Sequence, residues 1–238
     1  MSDHTTPFSH NEDVSRRFVI FDMFNTLVKL KGDIGRYDIV HVLHESYLSD
    51  FDFDDVARHY DDIARILVVE KRAHNLEIVF TEMVDHILTE LGVGGGHDLA
   101  EIEEYVFHGG KFISEMEGAE ETLRFFKDNG YTVAILSNSY FLESTLWSAL
   151  RSLGIDGYVD MIVSSADISY MKPRKEAYDA VLSGLGAEAG EAFFIGDDPK
   201  NDYDGPLAHG MRPIHIAISD EPKDVHVRSI GEIPTLFI

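Results

Sequence analysis

Phe18-Val19-Ile20-Phe21-Asp22-Met23-Phe24-Asn25-Thr26-Leu27 decides the fold: four apolar residues in a row, then a carboxylate. The run does not alternate apolar with polar, as a strand with one wet face would. A short, continuous apolar run fits a strand in a parallel sheet that is covered on both faces. Working outward, further runs follow the same rule: Val133-Ala134-Ile135-Leu136, Met161-Ile162-Val163 and Phe193-Phe194-Ile195. A fifth, Ile214 to Ile218, is interrupted by His215.

Between the later runs, helices are expected over Gly118 to Asn129, Tyr140 to Leu153 and Pro173 to Leu185. Each stops at a glycine, Gly130, Gly154 or Gly186, the residue that most easily takes the left-handed turn closing a helix. Pro173 suits a first turn. Strand alternating with helix implies right-handed crossovers and an α/β fold, a doubly wound, Rossmann-like parallel sheet.

Residues 33–111 break that rhythm. They read as amphipathic helices, Tyr37 to Leu48, Phe53 to Lys71, Leu76 to Leu91 and Leu99 to Phe107, with no strong strand between them. The chain therefore divides into a loose polar tail (1–16), an α/β core (17–32 and 112–238) and an all-helical insertion (33–111) entered near Asp33 and left near Lys111. Entering directly after the first strand, the insertion is placed to close over the sheet edge as a cap. Gly92-Val93-Gly94-Gly95-Gly96 is a connector. It lacks the Gly-Lys-Ser/Thr ending of a phosphate loop.

Composition narrows the function. The 238 residues carry 43 acidic side chains against 20 Lys plus Arg, a formal charge of −23. Such a surface repels nucleic-acid backbones and anionic lipid, so neither is expected as a partner. No apolar run approaches the ~18 residues of a membrane span, and the N-terminus has no signal-peptide stretch; a cytoplasmic protein is expected. The absence of cysteine excludes disulfides, thiolate metal sites and cysteine nucleophiles. Oligomeric state is not readable.

In open parallel sheets, ligands bind beyond the carboxyl ends of the strands. Asp22 follows the first run, and Ser137-Asn138 the second. Lys172-Pro173 lies in the segment after the third, and Gly196-Asp197-Asp198-Pro199-Lys200-Asn201-Asp202 follows the fourth. Singly, each has an ordinary reading as a turn residue, helix cap or solvated side chain. Together they bring a carboxylate nucleophile, a hydroxyl, a lysine and further carboxylates to one sheet edge.

The ordered set resembles the haloacid dehalogenase-like hydrolases with a helical cap after the first strand, over Arg17 to about Arg212. Asp22 to Thr26, Ser137, Lys172-Pro173, and Gly196-Asp197 with Asp202 match the four family motifs in order. Tyr178 and Gly210-Met211 agree in their flanks. The resemblance implies a covalent aspartyl intermediate on Asp22. It implies Mg²⁺ held by Asp22, the Phe24 carbonyl and Asp197. Ser137 and Asn138 are then expected to contact phosphate oxygens, and Lys172 to contact phosphate and balance the carboxylates. Asp202, Asp198 and Thr26 are expected behind these groups, orienting them.

One position departs from the pattern. Phosphatases of this kind carry a second aspartate two residues after the nucleophile, serving as general acid and base. Here that residue is Phe24. Loss of a positioned acid–base group costs ~10²–10⁴ in rate. The leading expectation is a Mg²⁺-dependent phosphatase of a small phosphorylated metabolite. A 2-haloacid dehalogenase is one alternative, because halide leaves without protonation. A phosphonate-type hydrolase is another and needs a cap lysine, for which Lys71 is the candidate, although it reads better as a solvated residue. A catalytically weak binding or regulatory protein on the same fold is the last. Arg36, Tyr37, Arg65, Arg72 and His74 are cap residues that either face the site or face water.

Overall fold

The structure is a computed structural model describing residues 17–30, 36–71, 74–93, 95–109, 113–218 and 221–238. The expected tail (1–16), the crossing points near Asp33 and Lys111, Gly94 of the connector, and Arg72 lie outside the described residues, as do the side chains of Arg36 and Tyr37.

The strands are β1 (Phe18–Phe21), β2 (Val28–Leu30), β3 (Ile113–Glu115), β4 (Thr132–Ser137), β5 (Met161–Ser164), β6 (Ala192–Gly196), β7 (Arg212–Ile216) and β8 (His226–Val227). Six of them form one parallel sheet in the order β5-β4-β1-β6-β7-β8. The strand carrying Asp22 is thus central, with β4 and β6 on either side. The apolar runs are unbroken because side chains alternate between two covered faces. On β1, Val19 and Phe21 pack into one hydrophobic cluster, and Phe18 and Ile20 into the other. β4 divides in the same way, Val133 and Ile135 against Ala134 and Leu136.

The helices are α1 (Arg36–Tyr47), α2 (Phe53–Lys71), α3 (Phe80–Glu90), α4 (Leu99–Gly109), α5 (Ala119–Asp128), α6 (Glu143–Leu153), α7 (Ser165–Ile168), α8 (Lys175–Leu185) and α9 (Gly205–Ala208). α8 covers one face through Ala177, Tyr178, Val181 and Leu182. α5, α6 and the inserted helices share the larger cluster on the other. Gly130, Gly154 and Gly186 all follow helices at positive φ, as their placement predicts.

The sequence reading missed β2 and β3. They form a short antiparallel ladder pairing Lys29 with Ser114, at the two ends of the inserted stretch. A second difference lies at the start of α3. The expected helix from Leu76 begins at Phe80, because the preceding residues pair with the core instead. Leu76 bridges Tyr170 antiparallel. The Glu77 amide donates to Ser169 O at 3.0 Å, and the Met171 amide donates to Asn75 O at 3.0 Å. The Phe80 amide donates to Tyr140 O at 2.8 Å. Glu77 is buried, and Ser165 Oγ donates to its Oε2 at 2.7 Å. Glu103 of α4 makes a further weld: its Oε1 accepts from Leu142 N and Thr145 Oγ1, both at 2.7 Å, at the start of α6. No helix among the described residues is long and apolar enough to cross a membrane.

Candidate active site

The carboxyl ends of β1, β4 and β6 place Asp22, Ser137 and Asp197 side by side, since Phe21 is in register with both Ile135 and Ile195. The Asp22 amide still donates to Ile195 O at 2.8 Å, so the nucleophile candidate is anchored to the neighbouring strand just past the last β1 residue. The chain then turns at Asn25, whose φ of 63° is a left-handed conformation that asparagine tolerates. This turn returns Thr26 to the site, where it is fully buried and its Oγ1 donates to Asp197 Oδ1 at 3.5 Å.

Lys172 is the hub. Its Nζ donates to Asp22 Oδ1 and to Asp202 Oδ1, both at 2.7 Å, and it is buried. Burial works against its charge, but Asp202 and Asp22 outweigh that and hold the ammonium above its ordinary pKa. Asn138 clasps the same residue by its backbone. Its Oδ1 accepts from the Lys172 amide at 2.7 Å, and its Nδ2 donates to the Lys172 carbonyl at 3.0 Å. The side chain expected to meet phosphate is thus engaged in placing the lysine.

Asp197 and Asp202 come from the turn after β6. Asp198 builds that turn, with Oδ1 accepting from Lys200 N and Asn201 N at 2.8 Å each. The Asp202 carboxylate folds back over the strand end, so close that a Cβ on Gly196 would overlap it. This close approach explains the glycine of the Gly-Asp pair. Asp202 Oδ2 accepts from the Asp198 amide at 3.0 Å, so both of its oxygens are in use.

Oxygens of Asp22, Asp197 and Asp202 lie within 4.8 Å of one another. Burial and the nearby Asp22 charge push the Asp197 carboxyl up to about 6. Burial also raises Asp202, against the pull of Lys172. One lysine does not balance these carboxylates. A hard, all-oxygen donor set with excess negative charge fits a divalent cation such as Mg²⁺. Asp202 is already spoken for, which leaves Asp22 and Asp197 as the side chains free to hold it. Ser137 is fully buried, and its Oγ has no hydrogen-bond partner among the described residues, as a hydroxyl kept for a ligand oxygen would be.

The cap residues fall differently. Lys71 forms an ion pair with Glu82. Arg65 pairs with Asp62 at 3.0 Å on the surface, and His74 is exposed, its carbonyl accepting from Arg174. Sequence reasoning gave no role to Glu77, Glu103 or the interior histidine of β7. For Glu77 and the histidine the available signal was a polar residue within an apolar stretch; Glu103 lies among other acidic residues and gave none.

A family model for haloacid dehalogenase-like hydrolases matches residues 17–210. The chain belongs to that family of hydrolases. It is 29% identical over 101 residues to a pyrophosphatase PpaX of Halalkalibacterium halodurans, covering 42% of this chain and 46% of the relative. It is 32% identical over 110 residues to a ribulose-1,5-bisphosphate 5-phosphatase of Halopiger xanaduensis, covering 46% and 45%. These matches span about half the length of each relative. The fold superposes on the crystal structure of a 2-haloacid dehalogenase from Pseudomonas syringae pv. Tomato with a TM-score of 0.67. That pairing has 18% identity and covers 93% of this chain and 97% of that one.

Proposed function

We propose that this hydrolase is a Mg²⁺-dependent phosphatase that removes a phosphoryl group from a small metabolite through an aspartyl-phosphate on Asp22. The observation that carries the reading is the hub: Lys172 bound to both Asp22 and Asp202, with Asp197 in the same 4.8 Å cluster. Relatives named as a pyrophosphatase and a sugar-bisphosphate phosphatase support it.

Asp22, Asp197 and the Phe24 carbonyl would hold Mg²⁺, which would supply the positive charge that lets a carboxylate approach an anionic phosphate. The remaining work belongs to the chain. Lys172 fixes one oxygen of Asp22 and so aims the carboxylate. Ser137 offers its unpartnered hydroxyl to a phosphoryl oxygen. Asp22 attacks phosphorus and the leaving oxygen departs with the bonding pair, taking its proton from solvent; water then attacks the same phosphorus, breaking its bond to Asp22 and releasing inorganic phosphate, a proton and the free carboxylate. Phe24 offers no proton, so substrates with good leaving groups are favoured.

Phe24 also supports a second reading, a dehalogenase, in which the same nucleophile displaces halide from carbon. An assay panel of acetyl phosphate, p-nitrophenyl phosphate and 2-chloropropionate, each with and without Mg²⁺, separates the two. Metal-dependent phosphate release is expected. Metal-independent chloride release with no phosphate release would overturn the phosphatase reading.

A further inference from the structure

The apolar run of β7 is broken by His215, and the reactions above give that residue no part. In the sheet it stands opposite Gly196 on β6, one residue before Asp197, and it is fully buried. Its Nε2 lies 3.0 Å from the Asp197 carbonyl oxygen. A carbonyl only accepts, so Nε2 carries the hydrogen. Nδ1 is buried and has no hydrogen-bond partner among the described residues. The ring is fixed by its surroundings. The His215 amide donates to Val225 O at 3.0 Å, and the Tyr203 ring packs edge-on with centroids 6.4 Å apart.

The carbonyl that His215 holds belongs to the peptide joining Asp197 to Asp198. The amide of that same peptide donates to Asp202 Oδ2 at 3.0 Å. One peptide plane is therefore clamped at both ends by buried side chains, His215 at its oxygen and Asp202 at its nitrogen. Asp202 is itself held by Lys172 at 2.7 Å. A fixed peptide plane fixes the backbone torsion from which the Asp197 carboxylate projects. We infer that His215 is a positioning residue that sets the Asp197 carboxylate against Asp22, and so sets the affinity of the site for its divalent cation. The inference rests on the metal reading of Asp22 and Asp197 proposed above.

The test measures binding of MgCl₂ to the full chain by calorimetry, and by melting temperature against Mg²⁺ concentration, with no substrate present. Four proteins are compared: the parent, His215→Gln, His215→Met and Asp197→Ala. Glutamine places an amide N–H where Nε2 stood, whereas methionine fills the space without a donor. His215→Met is expected to weaken Mg²⁺ binding about 10-fold, as loss of a group that orients a ligand does, while His215→Gln stays within about 3-fold of the parent. A parent that binds no Mg²⁺ ends the metal reading and this inference with it. A parent that binds, with His215→Met binding equally well, overturns the role of His215 alone. Equal losses in both His215 variants overturn it too, because the ring and not its donor would then matter. Should His215→Met fail to fold, long-range ¹H–¹⁵N spectra of the parent decide: an Nε2–H ring supports the clamp and an Nδ1–H ring overturns it.

Discussion

Asn138 holds Lys172 at two points of its backbone, amide to Oδ1 at 2.7 Å and carbonyl to Nδ2 at 3.0 Å, so one side chain ties the loop after β4 to the loop that carries the lysine. Removing this clasp leaves the lysine present but loosely aimed. Asn138→Ala is expected to lower kcat on acetyl phosphate by about 10²-fold, the scale of a misplaced catalytic group. The Mg²⁺-induced rise in melting temperature should persist, because Asp197 is untouched. An unchanged kcat would show that Lys172 holds its place without Asn138.

Asp22→Asn is expected to abolish hydrolysis and keep the fold. The amide matches the carboxylate in shape but is no nucleophile, and Lys172 retains Asp202 as its partner. Mass spectrometry of acid-quenched parent protein should find a phosphoryl group on Asp22, and none in the variant. Full activity in Asp22→Asn would remove the covalent route.

Phe24 is half-buried and packs against the larger hydrophobic cluster. Phe24→Asp should supply the missing proton donor. The gain is expected on alkyl phosphates, up to ~10²-fold, and should be small on acetyl phosphate, whose leaving group needs no proton. A new carboxylate there also costs stability unless it is solvated or paired, so melting temperature must be followed with rate. A folded, Mg²⁺-binding variant that gains nothing on alkyl phosphates, beside a parent that already turns them over quickly, would place the acid elsewhere.

Glu103 makes stability depend on pH. Burial pushes its carboxyl up to about 7, despite hydrogen bonds from Thr145 and Leu142 that favour the charged form. Its Oε2 has no hydrogen-bond partner among the described residues. A carboxyl raised on folding binds its proton more tightly in the native state than in the unfolded one. Its contribution is therefore complete below the ordinary value of 4.5 and is lost as pH rises through about 7. The linked change is about 3 kcal/mol. Glu103→Gln carries a constant penalty for a buried amide but no proton to lose. Urea unfolding between pH 5 and 8 should show the parent falling more steeply than Glu103→Gln. Parallel slopes would show that Glu103 does not titrate in this range.

Much of this architecture was legible because it is local. Runs such as Phe18 to Phe21 are short, continuous and apolar, as doubly covered strands are, and Gly130, Gly154 and Gly186 mark helix ends by conformational need. The candidate site was legible in part because the ends of β1, β4 and β6 bring Asp22, Ser137 and Asp197 to the same edge. What escaped depends on partners distant in sequence. Val28 to Leu30 and Ile113 to Glu115 are three-residue strands that become strands only by pairing with each other. Leu76, Ile78 and Val79 are apolar and the stretch reads as helix, yet the segment pairs with the loop around Tyr170. Asn138 was expected to face substrate, because sequence cannot show that the backbone of Lys172 lies within its reach.

The pairing of residues 75–77 with 169–171 has a mechanical consequence. A strap of backbone hydrogen bonds joins the segment before α3 to the loop after α7, beside the Phe80–Tyr140 and Glu103–Leu142 bonds that tie α3 and α4 to the same core. Met171, which the strap grips through Asn75, is the immediate neighbour of Lys172. A displacement of residues 75–77 is therefore passed by backbone hydrogen bonds straight into the loop that aims the lysine.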